Sequence, residues 1–125
     1  MKGAGVFGAS GGLPSEFKVK SMAAGGITSV PSYDVGGEVV KDNETYVLRD
    51  NKTLNNLVVS STDLKPGQST RGHSHPGQEE VYYFISGTGV MELGDQKFNV
   101  QGSDVVLIPD GVFHRVHNTQ KHSTL

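Results

Sequence analysis

The 125-residue chain contains no cysteine, no long apolar run and little net charge. The absence of cysteine excludes disulfides, thiolate metal sites and a cysteine nucleophile. No stretch approaches the ~20 apolar residues of a membrane span. The formal net charge is −2 and no run of Lys or Arg occurs, so neither a membrane nor a nucleic acid is expected as a partner. The N-terminus lacks the apolar segment of a secretory signal, and we expect a cytoplasmic protein.

Glycine, by contrast, is abundant, with 17 residues in the chain. From Glu38 onward, short segments of strand-forming residues alternate with Gly-, Pro- and Asn-containing turns, and no helical stripe of useful length interrupts them. The expected strands cover residues 45–49, 57–62, 80–86, 90–93, 97–100, 104–108 and 114–118. Strands of about five residues at even spacing predict an all-β fold of the barrel or jelly-roll kind.

Residues 1–37 differ from this barrel domain of residues 38–125, because their glycines follow no helix or strand period. They predict an irregular arm, with a short strand at residues 17–20, that serves as a flexible leader or packs on the barrel or on a second subunit. Residues 3–8 match the G-x-G-x-x-G pattern of dinucleotide-binding loops. That mechanism needs a preceding strand and a following helix, neither of which is predicted, so no nucleotide site is expected.

The first candidate metal-binding residues are two histidines two residues apart, His73 and His75. In a strand, residues at this spacing face the same side, so both imidazoles would point one way. Two imidazoles on one face can share a metal ion, although the same pattern also occurs on ordinary polar strand surfaces.

Glu80 begins the next predicted strand, after a turn at residues 76–78, and this strand is expected beside the histidines. Strand alternation places Glu80, Tyr82 and Phe84 on one face. A carboxylate that joins imidazoles inside an apolar barrel suits a divalent transition metal ion. The adjacent Glu79 is the alternative, but alternation turns it to the opposite face, as a solvated charge.

His114 follows a turn at residues 109–111 and begins another predicted strand. Alternation places His114 on one face and His117 on the other, which predicts that His117 is a surface or groove residue. His122 lies in a polar tail and is not expected to bind a metal.

Two stretches of the chain resemble the two motifs of the cupin superfamily. The first stretch has Gly67, His73, His75, Glu80 and Gly87 at the spacing of the family, and the second has Pro109, Gly111, His114 and Asn118. The glycines are expected to permit tight turns or positive φ. The family usually has a glycine six residues before the proline, where this chain has Ser103, with Gly102 one residue earlier. We expect the turn to absorb this as a shift of one residue.

The resemblance implies a double-stranded β-helix, the cupin-type jelly-roll barrel, with both motifs at its mouth. It also implies one divalent ion, of Mn, Fe, Zn, Ni or Co, bound by His73, His75, Glu80 and His114. Three aromatic residues are candidates either for the wall of a substrate pocket or for core packing: Tyr82, Phe84 and Phe113. No catalytic residue is assigned; the nearest polar groups in the sequence are Arg71, Gln78 and Tyr82.

The same resemblance implies a metal-dependent dioxygenase, isomerase or decarboxylase that acts on a small oxygen-rich molecule, such as a sugar derivative or a keto or hydroxy acid. The alternative is a non-catalytic module that binds a small ligand. Related barrels continue with a further strand after the second motif, and Thr124 and Leu125 look like the beginning of one. The arm, a second subunit or further chain would complete the barrel. Because an unpaired edge promotes association, we expect a homodimer.

Overall fold

The computed structural model describes residues 2–7 and 29–125, and within these residues it contains strands and no helix. The strands are β1 (Lys2–Phe7), β2 (Glu38–Asp42), β3 (Tyr46–Asn51), β4 (Leu57–Leu64), β5 (Glu80–Phe84), β6 (Thr88–Leu93), β7 (Gln96–Gln101), β8 (Val105–Ile108) and β9 (His114–His117). The all-β prediction is confirmed. None of the described residues forms a helix that could cross a membrane. The short strand expected at residues 17–20 lies outside the described residues.

The strands form a six-stranded sheet in the order β2-β3-β4-β1-β5-β8 and a three-stranded sheet in the order β7-β6-β9. β1 runs parallel to both of its neighbours, whereas the other pairs are antiparallel. The hydrophobic core takes side chains from both sheets: Leu64, Tyr82, Phe84, Met91, Val100, Val106, Ile108, Val116 and Leu125. The core therefore lies where the two sheets face each other.

Residues 2–7 form a strand within the larger sheet rather than an irregular arm. β1 pairs with β4 along its whole length and with β5 from Gly3 onward. Glycine is depleted in strands, which is why composition alone predicts no strand here. The glycine motif thus runs along a strand from Gly3 to Phe7, and not through the strand-to-helix turn that dinucleotide binding requires. The division into an arm of residues 1–37 and a barrel of residues 38–125 stays a prediction.

The predicted alternation of β5 and β9 is confirmed. In β5, Tyr82 and Phe84 are buried, whereas the alternating residues Val81 and Tyr83 are exposed. In β9, His114 is only 2% exposed and points into the molecule. Both strands therefore present alternate residues to the space between the sheets, which is what brings side chains of the two motifs together.

The last residues pack against the end of β4. The Leu125 side chain is fully buried, and its backbone exchanges hydrogen bonds of 2.9 and 3.0 Å with Leu64. The buried amide of Asn118 donates to the carbonyls of Leu64 at 2.9 Å and Ser123 at 2.8 Å. Asn118 thus ties the end of the second motif to β4 and to the final turn.

Candidate metal centre

Glu80 and His114 each occupy the first position of a strand, but in different sheets. Glu80 begins β5 in the six-stranded sheet, and His114 begins β9 in the three-stranded sheet. The expected pairing of β5 beside the two histidines is wrong, because β5 pairs with β1 and β8. Glu80 instead approaches the histidines from the opposite sheet. The candidate centre therefore lies between the sheets and not on one of them.

His73 and His75 lie in the connection between β4 and β5, outside any regular strand. His73 forms an isolated antiparallel bridge with His114, through reciprocal backbone hydrogen bonds of 3.1 and 2.9 Å. The predicted strand shrinks to this bridge for two reasons. Gly72 takes a positive φ of 84° just before it, and the Gln78 N–H donates to the His75 carbonyl at 3.1 Å to close a turn just after it.

The structure brings all four predicted residues together. One ligand atom from each of His73, His75, Glu80 and His114 lies within 4.8 Å of the others. The two Glu80 oxygens face different histidines, with Oε1 3.6 Å from His75 Nε2 and Oε2 3.1 Å from His114 Nε2. The side chains are 2% exposed at His114, 12% at Glu80 and 43% at His75. The cluster is therefore closed on the His114 side and open to solvent on the side of His73 and His75.

The protonation of His114 can be assigned from its partners. Its Nδ1 lies 3.0 Å from the carbonyl oxygen of Val112, which only accepts, so Nδ1 carries the proton. Nε2 is then left with a lone pair, buried and without a hydrogen-bond partner, at 3.1 Å from a Glu80 oxygen that also carries lone pairs. With a neutral imidazole these two atoms repel each other, and a proton or a metal ion between them removes the repulsion. The residues present therefore fit a metal ion.

The pKa of His73 is lowered from its ordinary value, first by burial and then by the neighbouring imidazoles of His114 and His75, with Glu80 acting in the opposite direction. A lowered pKa keeps His73 neutral at neutral pH, and the neutral imidazole is the form that binds a metal. The cluster thus favours the protonation state that ligation needs.

Tyr82 stands next to this cluster and orients one of its members. Burial, followed by the charge of Glu80 and a hydrogen bond to its carboxylate, raises the pKa of Tyr82 far above the ordinary value. The phenol therefore stays protonated and donates to Glu80. Its ring also meets the His114 ring edge-on, at 5.5 Å between centroids. Tyr82 holds the carboxylate in place in the way that outer groups orient the ligands of metal sites.

A cavity of about 990 Å³ opens beside the cluster, and its lining includes Tyr82 together with Lys41, Arg71, Gln78 and Arg115. The other two aromatic candidates lie elsewhere. Phe84 is fully buried in the core. Phe113 is 41% exposed and packs on Gly72, where a Cβ atom would stand 2.6 Å from the ring. Neither residue is among the described residues that line this cavity.

The residues not expected to join the cluster lie outside it. Glu79 and His122 are exposed, and His117 faces away from His114 into a separate hydrogen-bonded group with Ser69 and Glu92. Ser69 and Glu92 are polar residues that the sequence reasoning missed. The one available signal was the alternation that turns His117 outward, but its partners depend on strand register.

The motif glycines confirm their predicted role, since Gly67, Gly87 and Gly111 have φ values of 71°, 90° and 72°. The expected one-residue shift of the turn before Pro109 is wrong. Ser103 itself takes a positive φ of 76°, whereas Gly102 is not among the residues with positive φ. The serine therefore adopts a conformation that costs a side-chain-bearing residue free energy.

The fold and the cluster together define a small β-barrel with three histidines and one glutamate between its sheets. A family model described as a cupin domain matches residues 60–124, more than half of the chain, and the chain therefore belongs to the cupin family. The predicted double-stranded β-helix of the jelly-roll type is confirmed.

Two curated proteins are related in sequence. An oxalate-binding protein of Thermotoga maritima is 34% identical over 56 residues, which are 45% of this chain and 46% of that protein. An uncharacterised protein of Methanocaldococcus jannaschii is 38% identical over 52 residues, 42% of each chain. The chain thus spans less than half the length of the curated relatives it matches.

Solved structures show the same fold. KdgF from Halomonas sp. has a TM-score of 0.61 at 15% identity, over 70% of this chain and 79% of that one. A predicted oxalate decarboxylase from Thermotoga maritima has a TM-score of 0.57 at 23% identity, over 63% and 73%.

Proposed function

We propose that this cupin binds one divalent transition metal ion through His73, His75, Glu80 and His114. The observation that carries the proposal is the buried Nε2 of His114, which has no hydrogen-bond partner and lies 3.1 Å from a Glu80 oxygen. Three imidazoles and one carboxylate suit Mn, Fe, Zn, Ni or Co. The metal would relieve the repulsion between the two facing lone pairs.

We further propose that the centre belongs to an enzyme of the dioxygenase, isomerase or decarboxylase class. Four protein ligands leave open positions on a six-coordinate ion, which when bound would supply Lewis acidity to a bidentate oxygen ligand. The residues of the chain would bind and orient that ligand. Lys41, Arg71 and Arg115 line the cavity, and such cations favour an acidic molecule such as a keto or hydroxy acid or a sugar acid.

A non-catalytic ligand-binding module is the second candidate, and the Thermotoga maritima relative described as an oxalate-binding protein favours it. The same cluster and cavity would then hold a small oxygen-rich ligand without converting it. The two candidates share the metal centre and differ only in turnover.

Metal titration tests the shared part of both candidates. Chelator-stripped protein would be titrated with Mn, Fe, Zn, Ni or Co ions in a calorimeter, with thermal shift and elemental analysis in parallel. Glu80→Gln should weaken binding by about 100-fold or more, whereas the exposed neighbour Glu79→Gln should bind as the wild type does. Equal affinity in the two variants, or no binding by the wild-type protein, would reject the metal centre.

Turnover separates the candidates. The metal-loaded protein would be incubated with oxalate and with small keto and hydroxy acids, with oxygen uptake and product formation followed by electrode and NMR. Metal-dependent product formation supports an enzyme. Calorimetric binding of oxalate without any product supports the binding module.

The homodimer is also a proposal. β8 is the last strand of the six-stranded sheet among the described residues. Two cross-strand pairs on the outside of β5 and β8 are apolar, Val81 with Leu107 and Tyr83 with Val105, and these four side chains are 39% to 66% exposed. Such a patch favours association. Light scattering should give a dimer that Leu107→Lys dissociates, and a monomeric wild-type protein would refute the dimer.

The cytoplasmic location stays a prediction.

A further inference from the structure

A second polar group includes His117, which faces away from His114 on β9, and it shares no residue with the candidate metal centre. Ser69 Oγ lies 2.6 Å from His117 Nδ1, and His117 Nε2 lies 2.6 Å from Glu92 Oε2. None of these three residues belongs to the histidine and glutamate cluster. A serine, an imidazole and a carboxylate are thus linked in one hydrogen-bonded chain.

Strand register brings these residues together. Ser69 forms an isolated antiparallel bridge with His117, so the two stand directly opposite each other. Glu92 pairs with Arg115 across β6 and β9, which places Glu92 diagonally from His117, within reach of a long side chain. His117 therefore has Ser69 on one side and Glu92 on the other.

The hydrogen bonds select one tautomer of the neutral His117 imidazole. An ionised carboxylate only accepts, so Nε2 must carry the proton that is donated to Glu92. In the neutral imidazole, Nδ1 then holds the lone pair and accepts the Ser69 hydroxyl at 2.6 Å. This is the tautomer and the distance that general-base activation of a serine requires.

The ionisation of Glu92 suits its position at the end of this hydrogen-bonded chain. The hydrogen bond from His117 is the main cause that lowers the pKa of Glu92, with further contributions from the charges of His117, Lys97 and Arg115 against a smaller opposing effect of burial. Glu92 is therefore ionised at neutral pH. It can balance the positive charge that His117 would acquire on taking a proton.

Ser69 can be reached by a small molecule. Ser69 and Arg115 both line the open cavity, and the side chains of His117 and Glu92 are partly exposed, at 22% and 31%. Arg115 Nε donates to the carbonyl of Thr70 at 2.8 Å, next to Ser69 in the chain. This bond holds the guanidinium at the backbone of the residue after Ser69, and a cation in this part of the cavity would favour the negative charge that develops during attack on a carbonyl.

We propose that Ser69 is a base-activated nucleophile that is acylated by small activated carboxylic esters, independently of any metal. Ser69 Oγ forms a bond to the carbonyl carbon while its proton moves to His117 Nδ1, and Glu92 stabilises the imidazolium. The ester C–O bond then breaks, and the departing oxygen takes the proton from His117. Water attacks the acyl-serine by the same route, releases the carboxylic acid and restores Ser69.

The experiment uses the full chain after chelator treatment, so that a failed metal proposal leaves it intact. The protein would be treated with a fluorophosphonate probe and, separately, with p-nitrophenyl acetate. Mass spectrometry of the digested protein should find the phosphonate on Ser69. Ser69→Ala should abolish labelling and ester hydrolysis, and His117→Asn should slow both by about 100-fold or more. Glu92→Gln should cause a smaller loss.

Ser32→Ala is the matched control, because Ser32 is an exposed serine and is not among the described residues that line the cavity. It should label and hydrolyse as the wild-type protein does. Each variant would be checked for folding by circular dichroism and thermal melting, and the site of the adduct on the wild-type protein decides the matter even if Ser69→Ala does not fold. No adduct, an adduct on another residue, or undiminished labelling of folded His117→Asn would overturn the proposal.

Discussion

The two halves of the candidate metal centre are built differently. Glu80 and His114 stand on strands of opposite sheets, are nearly buried and have fixed partners. His73 and His75 stand on a connection outside regular structure, where His75 is 43% exposed and a single bridge joins His73 to β9. One half of the centre is set by the barrel, and the other depends on the local conformation of a loop.

This difference has a physical consequence for binding. A ligand held by a strand pays little entropy on ordering, whereas a loop-borne ligand must be ordered when the ion arrives. We therefore expect the strand-held half to determine whether the metal binds at all, and the loop-held half to adjust how tightly it binds.

The largest predicted effects are losses of metal affinity in two single variants, each of which replaces one histidine of one half. His114→Ala should lower metal affinity by more than about 100-fold, because it removes a buried imidazole whose orientation is fixed by the Val112 carbonyl, and His75→Ala should lower it by about 10- to 100-fold. Competition with a metallochromic chelator would measure both. The exposed His122→Ala is the control and should not change affinity. Equal losses for His75 and His114 would remove the distinction between the halves.

The second-largest predicted effect is a loss of folding stability when the loop conformation at Gly72 is changed. Gly72→Ala places a side chain at a φ of 84°, with its Cβ 2.6 Å from the Phe113 ring, and should destabilise the protein by about 1–3 kcal/mol and weaken metal binding. Gly77→Ala is the matched control, because its φ is 83° but no atom lies within 4 Å of the added Cβ. Urea unfolding with and without metal measures both. A Gly77→Ala variant as impaired as Gly72→Ala would assign the effect to φ alone.

Lowering the pH should reduce the folding stability of the metal-free protein through His73, by less than the Gly72→Ala change does. The pKa of His73 is lowered in the folded protein, so between that pKa and the ordinary ~6.5 the unfolded chain binds more protons. This contribution to stability is therefore fully present above about pH 6.5 and is lost as the pH falls below it. Thermal melts from pH 8 to pH 5 should show the decline, and His73→Gln should make it shallower. An unchanged slope in His73→Gln would contradict the assignment.

The smallest expected effect concerns the turn between β7 and β8, outside the candidate metal centre. Ser103→Gly should stabilise the protein by about 0.5–1 kcal/mol, because glycine adopts the φ of 76° without the strain that serine bears. This value is net of the larger backbone entropy that glycine gains on unfolding. Gly102→Ala should act in the opposite direction, since its Cβ would stand 3.0 Å from the Ile85 carbonyl oxygen. Melting temperatures of the two variants and the wild-type protein test this. A less stable Ser103→Gly would show that the serine side chain stabilises the turn.

Sequence reasoning predicted the parts of the centre that follow from local periodicity. Alternation assigned Glu80 over Glu79 and separated His114 from His117, because side chains in a strand change face at every residue. It could not predict that Glu80 comes from the opposite sheet, since strand order is a long-range property. It also predicted that His73 and His75 are strand residues, although only His73 forms a bridge and His75 lies outside any strand.

The group of Ser69, His117 and Glu92 escaped sequence reasoning for a related reason. The three residues are far apart in the sequence, and they meet only because β9 pairs with β6 in one register and Ser69 bridges to β9. A one-residue slip in either pairing would send these side chains to opposite faces. The β1 strand was hidden differently, since a glycine-rich segment has few side chains to show an alternation.

The connection that carries His73 and His75 is joined to β9 by two bridges, Ser69 with His117 and His73 with His114, and by hydrogen bonds of Thr70 between them. Mutations within this connection can therefore change two metal ligands and part of the cavity wall while the core between the sheets stays intact. A library confined to residues 73–79, with Gly72, Glu80 and His114 left unchanged, would be the economical starting point for redirecting this protein to a different ion or ligand.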